Sequence, residues 1–210
     1  MIIKSNKKRT RYTLEIDNDA NLIVKTPINP SKKYINKLVN ENIKWIEENQ
    51  FKVNSMKQSL LDWFDDNLLF YRGKKYKLSK SNSQKVIFKE QEVILPKNQS
   101  KDLFLSKHAK LYLPERCLDI LESMNLECSK IKIRRLKSCW GTCNINKTIT
   151  LNKALIQSPD WVSDYVIIHE CAHLVHFNHS KDFWALVSKY TNHTKAAKKW
   201  LKDHQIVLIS

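Results

Sequence analysis

The stretch His169-Glu170-Cys171-Ala172-His173-Leu174-Val175-His176-Phe177-Asn178-His179 constrains this chain more than any other. Two histidines four apart on a helix present their rings on one face, one turn above the other, so both imidazoles can reach one tetrahedral metal ion. The glutamate beside the first histidine can then reach a water on that ion. The preceding run, Asp160 to Ile168, is mostly apolar on a helical period, as a buried helix requires. A third ligand must come from further along. His176 shares the helical face but lies about 10 Å from His169 at a rise of 1.5 Å per residue, too far for one ion to take both ends of the row. His179 would point about 240° round from His173 on a continuing helix, so it serves only if the helix stops near Phe177 and the chain turns back. Asn178 tolerates the left-handed conformation that often ends helices, and Ser180 can cap a new helix from Lys181. The expected ligands are therefore His169, His173 and His179, with His176 a neighbour that supports a ligand or faces substrate.

A chain of 210 residues can bury a sizeable core in one domain or two small ones. The N-terminus, Met1 to Lys8, has no apolar core of signal-peptide length, and no stretch approaches the ~18 apolar residues of a membrane span. Five cysteines, an odd number without framework spacing, suit reduced thiols and a cytoplasmic location. Lys and Arg outnumber Asp and Glu by 37 to 21, a formal net charge of +16. That excess favours anionic partners such as nucleic acid or nucleotides, although lysines scattered along the whole chain serve solubility equally well. Basic residues concentrate at Lys4–Arg11, Lys130–Lys137 and Lys195–Lys202.

The chain opens with alternating, β-forming residues 8–15, turn chemistry at 17–21 and a returning strand at 22–26, a hairpin by pattern. Ser31 can cap a helix over 32–49. A second hairpin turns near Gly73, one of only two glycines. Short strands follow at 86–88 and 93–95. The polar stretch Pro96–Lys101 is the best boundary signal, dividing a β-rich region 1–98, with one or two helices, from a catalytic region 99–210. A helix then runs to about Met124, with Pro114 expected to kink or split it. Residues 130–137 alternate like a half-exposed strand, and a hairpin formed by 138–143 and 148–152 precedes the histidine-bearing helix. Cys139 and Cys143 share a strand face, but no second cysteine pair completes a structural zinc site, so packing is the simpler role.

The Trp140-Gly141-Thr142-Cys143 hairpin, Ile149-Thr150-Leu151-Asn152, Asp164-Tyr165-Val166-Ile167-Ile168-His169-Glu170, Ala172-His173-Leu174, His176, Asn178-His179-Ser180 and Phe183-Trp184 together resemble the YgjP-like metallopeptidase family, related in pattern to SprT-like and WLM peptidases. Two positions depart from the pattern. Cys139 stands where the family usually has arginine before the Trp-Gly pair, and Cys171 replaces the usual leucine. The resemblance implies a zinc site formed by His169, His173 and His179, with Glu170 as general base for a water that attacks a peptide carbonyl. It also implies a substrate strand lying along Thr148–Asn152, with Asn152 and Trp140 as supporting or substrate-facing residues.

These expectations amount to an α+β fold, a β-rich N-terminal part followed by a zincin-like catalytic part in which a small sheet packs on the HExxH helix. The expected function is a Zn2+-dependent metallopeptidase acting on protein or peptide, with no membrane partner. The same ligand set and positive charge would also serve hydrolysis of a nucleotide phosphoanhydride. A nucleic-acid-associated module, acting on DNA-bound proteins or using the metal structurally, is the third reading.

Overall fold

The computed structural model describes residues 1–17 and 19–209, apart from the side chains of Met56, Ser59, Leu60, Ile206 and Ile209. Asn18, part of the expected first turn, lies outside the described residues. Among the described residues, six α-helices and three small sheets give an α+β architecture, as the sequence pattern predicts. The chain divides into two compact units, Met1–Asp62 and Trp63–Ser210.

The first unit holds β1 (Ile2–Ser5), β2 (Thr13–Ile16) and β3 (Leu22–Thr26), with β3 central, antiparallel to β2 and parallel to β1. The hairpin was expected from the pattern; the parallel strand β1 was not. The expected single helix is two, α1 (Lys32–Glu41) and α2 (Ile43–Leu61). Ser31 caps the first through its hydroxyl, which accepts from Tyr34 N. The break comes at Asn42, whose side-chain amide donates to the Leu38 carbonyl at 2.8 Å. Leu22, Val24, Ile35 and Ile46 form a small core of their own.

In the second unit, β4 (Leu68–Tyr71), β5 (Lys74–Ser81), β6 (Ile87–Phe88) and β7 (Glu92–Pro96) form a sheet in the order β4-β5-β7-β6. The long helix α3 (Lys101–Ser123) follows. A second sheet comprises β8 (Lys130–Arg134), β9 (Gly141–Cys143) and β10 (Thr148–Asn152) in the order β8-β10-β9. Then come α4 (Asp160–Ala172), α5 (Lys181–Tyr190) and α6 (Thr194–Ile209).

Three expectations need correction. The compact units part at Asp62/Trp63 rather than at Pro96–Lys101. Leu69, Leu78, Val93 and Leu95 of the β4–β7 sheet share one buried core with Phe104, Ile149, Val162 and Ile167, so that short polar stretch is a connection inside a unit. Pro114 does not split α3: Leu113 and Cys117 on either side of it are fully buried, and packing on both sides carries the helix through. Thr148–Asn152 is not an edge. It pairs with β8 on one side, in parallel, and with β9 on the other, which leaves β9 as the edge strand beside α4.

The helix α4 is buried on most of its circumference, from Val162 and Ser163 to Cys171 and Ala172. Each fully buried Val or Ile contributes about 1.5–3 kcal/mol of apolar transfer, which fixes the helix firmly inside its unit. Its start is clamped by the β4–β5 hairpin. Arg72 and Gly73, at φ 48° and 74°, make the two-residue turn, the type in which both central residues are left-handed. Their amides donate to the carbonyls of Ile156 (2.8 Å) and Gln157 (3.2 Å). A Cβ on Gly73 would stand 2.7 Å from Pro159 Cα, so only glycine fits against the residue preceding α4. The Arg72 guanidinium grips Asp160 through two hydrogen bonds of 2.9 and 2.7 Å, and Arg116 of α3 grips Asp164 one turn later through bonds of 2.7 and 2.9 Å.

Candidate active site

The residues His169 to His179 leave the helix sooner than expected. The assigned helix ends at Ala172, with His173 still at φ −69°, ψ −15°, so the two HExxH rings keep their common face. The chain then tightens through bonds from Leu174 N to Cys171 O and from Val175 N and His176 N to Ala172 O, at 3.0–3.1 Å. Asn178 is not left-handed; its side-chain oxygen instead accepts from Ser180 N at 3.3 Å. Ser180 caps α5 by accepting from Phe183 N, also at 3.3 Å. This return brings His179 back onto the face of the first two histidines.

His169, His173 and His179 each offer a ring nitrogen, and these nitrogens lie within 4.8 Å of one another. His169 Nε2 and His179 Nε2 are 3.1 Å apart. Phe183, fully buried, packs against all three imidazoles with ring centroids 4.9, 4.6 and 4.8 Å away. His173 Nδ1 faces the His176 carbonyl at 3.0 Å. A carbonyl only accepts, so Nδ1 carries the proton and the Nε2 lone pair is left for a metal. His176 thus meets the cluster through its backbone, and its ring is not one of the three. Burial, then the neighbouring His173 and His179, then Lys198, depress His169 to a pKa of about 4. Burial likewise lowers His173. Both are neutral donors at neutral pH. His169 Nδ1 is buried without a hydrogen-bond partner among the described residues.

Three neutral imidazoles converging on one point suit a divalent, borderline-soft ion. Beside them Glu170 is buried, 6% exposed, and burial pushes its pKa up to about 8. Its carboxylate stands against Gly141, where a Cβ would come within 2.8 Å of both Glu170 Cγ and Oε1. Glu170 and His169 line a cleft of about 310 Å³ with Ser138, Trp140, Tyr165 and Leu201. Cys139 lines the same cleft.

The remaining expected residues separate in role. Trp140 is half-buried and forms part of the cleft wall. Asn152 is 1% exposed and spends its side chain inside the protein. Its amide donates to the carbonyls of Leu136 (2.8 Å) and Cys139 (3.0 Å), while its oxygen accepts from Ala154 N (3.1 Å). It braces the loop that makes the cleft wall. Sequence reasoning gave no role to Tyr165, which is 4% exposed in the cleft and raised to a pKa of about 12 by burial and then by Glu170. Its place four residues before His169, on the same helical face, was the available signal. The contact between Gly141 and Glu170 left no local trace, because the two residues are far apart in the chain.

Comparison with solved structures returns metallopeptidase zymogens of two archaea. Abylysin of Pyrococcus abyssi is 24% identical over 44% of this chain and 95% of that one, with a TM-score of 0.40. Jannalysin of Methanocaldococcus jannaschii is 25% identical over 45% of this chain and 96% of that one, with a TM-score of 0.39. Comparison with curated proteins returns no match. Among the described residues, no helix is long and apolar enough to cross a membrane. The family described as YgjP-like, metallopeptidase domain, matches residues 10–204, and with the histidine cluster and its buried glutamate in view the chain belongs to that metallopeptidase family.

Proposed function

We propose that the chain is a zinc-dependent peptidase in which His169, His173 and His179 hold the metal and Glu170 is the general base. The observation that carries this reading is the convergence of three imidazole nitrogens within 4.8 Å of one another beside a buried glutamate. When bound, the ion would supply Lewis-acid activation of a water and of the scissile carbonyl, and its charge would draw the Glu170 pKa back down. Glu170 takes a proton from the attacking water and returns it to the leaving amine. Gly141 leaves the space in which that carboxylate stands, and Phe183 holds the three imidazoles in place. A peptide in extended conformation adds to the free edge of β9, Gly141–Cys143, rather than to the central strand β10. The five free thiols suit a reducing compartment such as the cytoplasm.

Metal content by elemental analysis tests the site, on the purified protein and on His179→Ala and His176→Ala. The expected result is about one zinc per chain, kept in His176→Ala and largely lost in His179→Ala. Retention in His179→Ala with loss in His176→Ala would refute the ligand assignment. Casein and a nucleoside triphosphate, assayed side by side with Glu170→Gln as control, decide which bond is cut.

A further inference from the structure

Two side chains outside the ligand set stack outward from the histidine cluster. Trp184 of α5 stacks on His179, with ring centroids 5.7 Å apart and 22° between planes, and lies 5.8 Å from the His169 ring. Lys198 of α6 holds its ammonium 3.8 Å from the Trp184 centroid, a cation–π contact that anchors one end of an otherwise mobile side chain. Leu201, three residues on and hence on the same face of α6, lines the cleft with His169 and Glu170. Lys198 therefore sits on the cleft side of its helix.

Among the described residues Lys198 has no carboxylate partner, whereas the next lysine, Lys199, is taken by Asp203 at 2.5 Å. Glu170 is the only acid lining the cleft among the described residues, and it is buried. A cation held over the ring that stacks on His179, with no carboxylate partner among the described residues, suits an anion that arrives with the substrate.

We propose that Lys198, held by Trp184, binds a carboxylate of the substrate next to the cleaved bond, so that the preferred peptides carry either an acidic side chain there or their own free C-terminus. The proposal rests on the peptidase reading and names the substrate class for that site. It differs from general attraction between a +16 protein and acidic molecules, because it depends on one residue.

The test is equilibrium binding by fluorescence anisotropy to the zinc-loaded Glu170→Gln protein, which prevents turnover. Three labelled peptides share one neutral scaffold: one amidated at its C-terminus, one amidated with a central aspartate, one with a free C-terminus. Work at about 0.15 M salt, where the Debye length is about 8 Å, suppresses distant charges. A charge-assisted contact predicts that one of the two carboxylate peptides binds about tenfold tighter than the neutral one, and which of them does so identifies the source. The advantage should disappear in Lys198→Gln, persist in Lys198→Arg and persist in Lys107→Gln, an exposed lysine of α3 outside the cleft. An advantage below about twofold, one that survives Lys198→Gln, or one lost equally in Lys107→Gln would overturn the proposal. Cleavage of the same peptides by protein retaining Glu170 reports separately on the peptidase reading. Cleavage without a carboxylate advantage overturns only the role of Lys198. A Lys198-dependent advantage without cleavage removes the peptidase reading and leaves a carboxylate-binding site.

Discussion

Gly141→Ala isolates the position of Glu170, the proposed general base. Gly141 is not in the left-handed region, so alanine is compatible with its backbone. The added Cβ would stand 2.8 Å from Glu170 Cγ and Oε1 and 3.0 Å from Cδ. Ordinary carbon contacts begin near ~3.4 Å, so the carboxylate must retreat by roughly 0.6 Å or more. The obstructing atoms are the end of a flexible side chain, and they can give way without moving the backbone. The overpacking cost of ~1–3 kcal/mol is partly offset by ~0.4–1 kcal/mol from the stiffer unfolded chain, so stability should fall by only about 1 kcal/mol. Rate is far more sensitive. A base in place is worth about 10²–10⁴, and a misplacement approaching 1 Å costs about 10². We therefore expect kcat on a cleaved peptide to fall about 100-fold, ~2.7 kcal/mol of barrier, with KM and zinc per chain nearly unchanged. A kcat within about threefold of the parent would refute the reasoning, because the carboxylate would then tolerate the displacement. Loss of zinc in step with kcat would place the effect on the ligands instead.

Gly73→Ala should show the opposite balance. A φ of 74° and a Cβ 2.7 Å from Pro159 Cα set strain against backbone, and thermal or urea unfolding should register a loss of about 2 kcal/mol or more. Glu170→Gln should lower turnover at least about 10³-fold while elemental analysis still finds the metal. Arg72→Met removes the partner of Asp160 and should cost about 1 kcal/mol, since the pair is partly exposed. The sign with pH is fixed. Burial raises the Asp160 pKa, but the bonds from Arg72 and Tyr112 outweigh it and leave the group below its ordinary value. Its contribution is present above the unfolded-state pKa of about 3.9 and is lost as pH falls through the lower folded value. Acid unfolding curves of parent and Arg72→Met should therefore converge as pH falls below the ordinary carboxylate range, and a constant gap would contradict this.

Much of the site was legible because its spacing is local. The i, i+4 histidines, the intervening glutamate and the need for the chain to return all follow from helix geometry, and the Ser180 cap announces where the return ends. The position of the stop was less legible. The expectation of Phe177 assumed regular helix to a left-handed residue, whereas the chain closes its last turn from Ala172 with shorter hydrogen-bond loops and no positive φ. The hairpin 138–152 was readable from its own residues, but its position in the sheet was not. The partner that makes β10 central is β8, a parallel strand on the far side of β9 in sequence, and such pairing leaves no mark within the hairpin. The false boundary near Pro96 has the same origin: a polar turn looks alike inside a unit and between two. Lys198 was visible only as one more lysine among many.

The two glycines of this chain lie against the same helix, one abutting Pro159 just before it and the other abutting Glu170 near its end. At each point a hydrogen stands where any other residue would bring a carbon. The Glu170 carboxylate is thus gauged along the helix axis by two missing atoms about 15 Å apart. Filling the first pushes the helix as a body, and filling the second swings only the acid at its far end. In a library randomised at these two codons, variants at Gly73 would vanish from the folded pool, and variants at Gly141 would stay folded and fall silent. The two codons would separate defects of scaffold from defects of chemistry in a single screen.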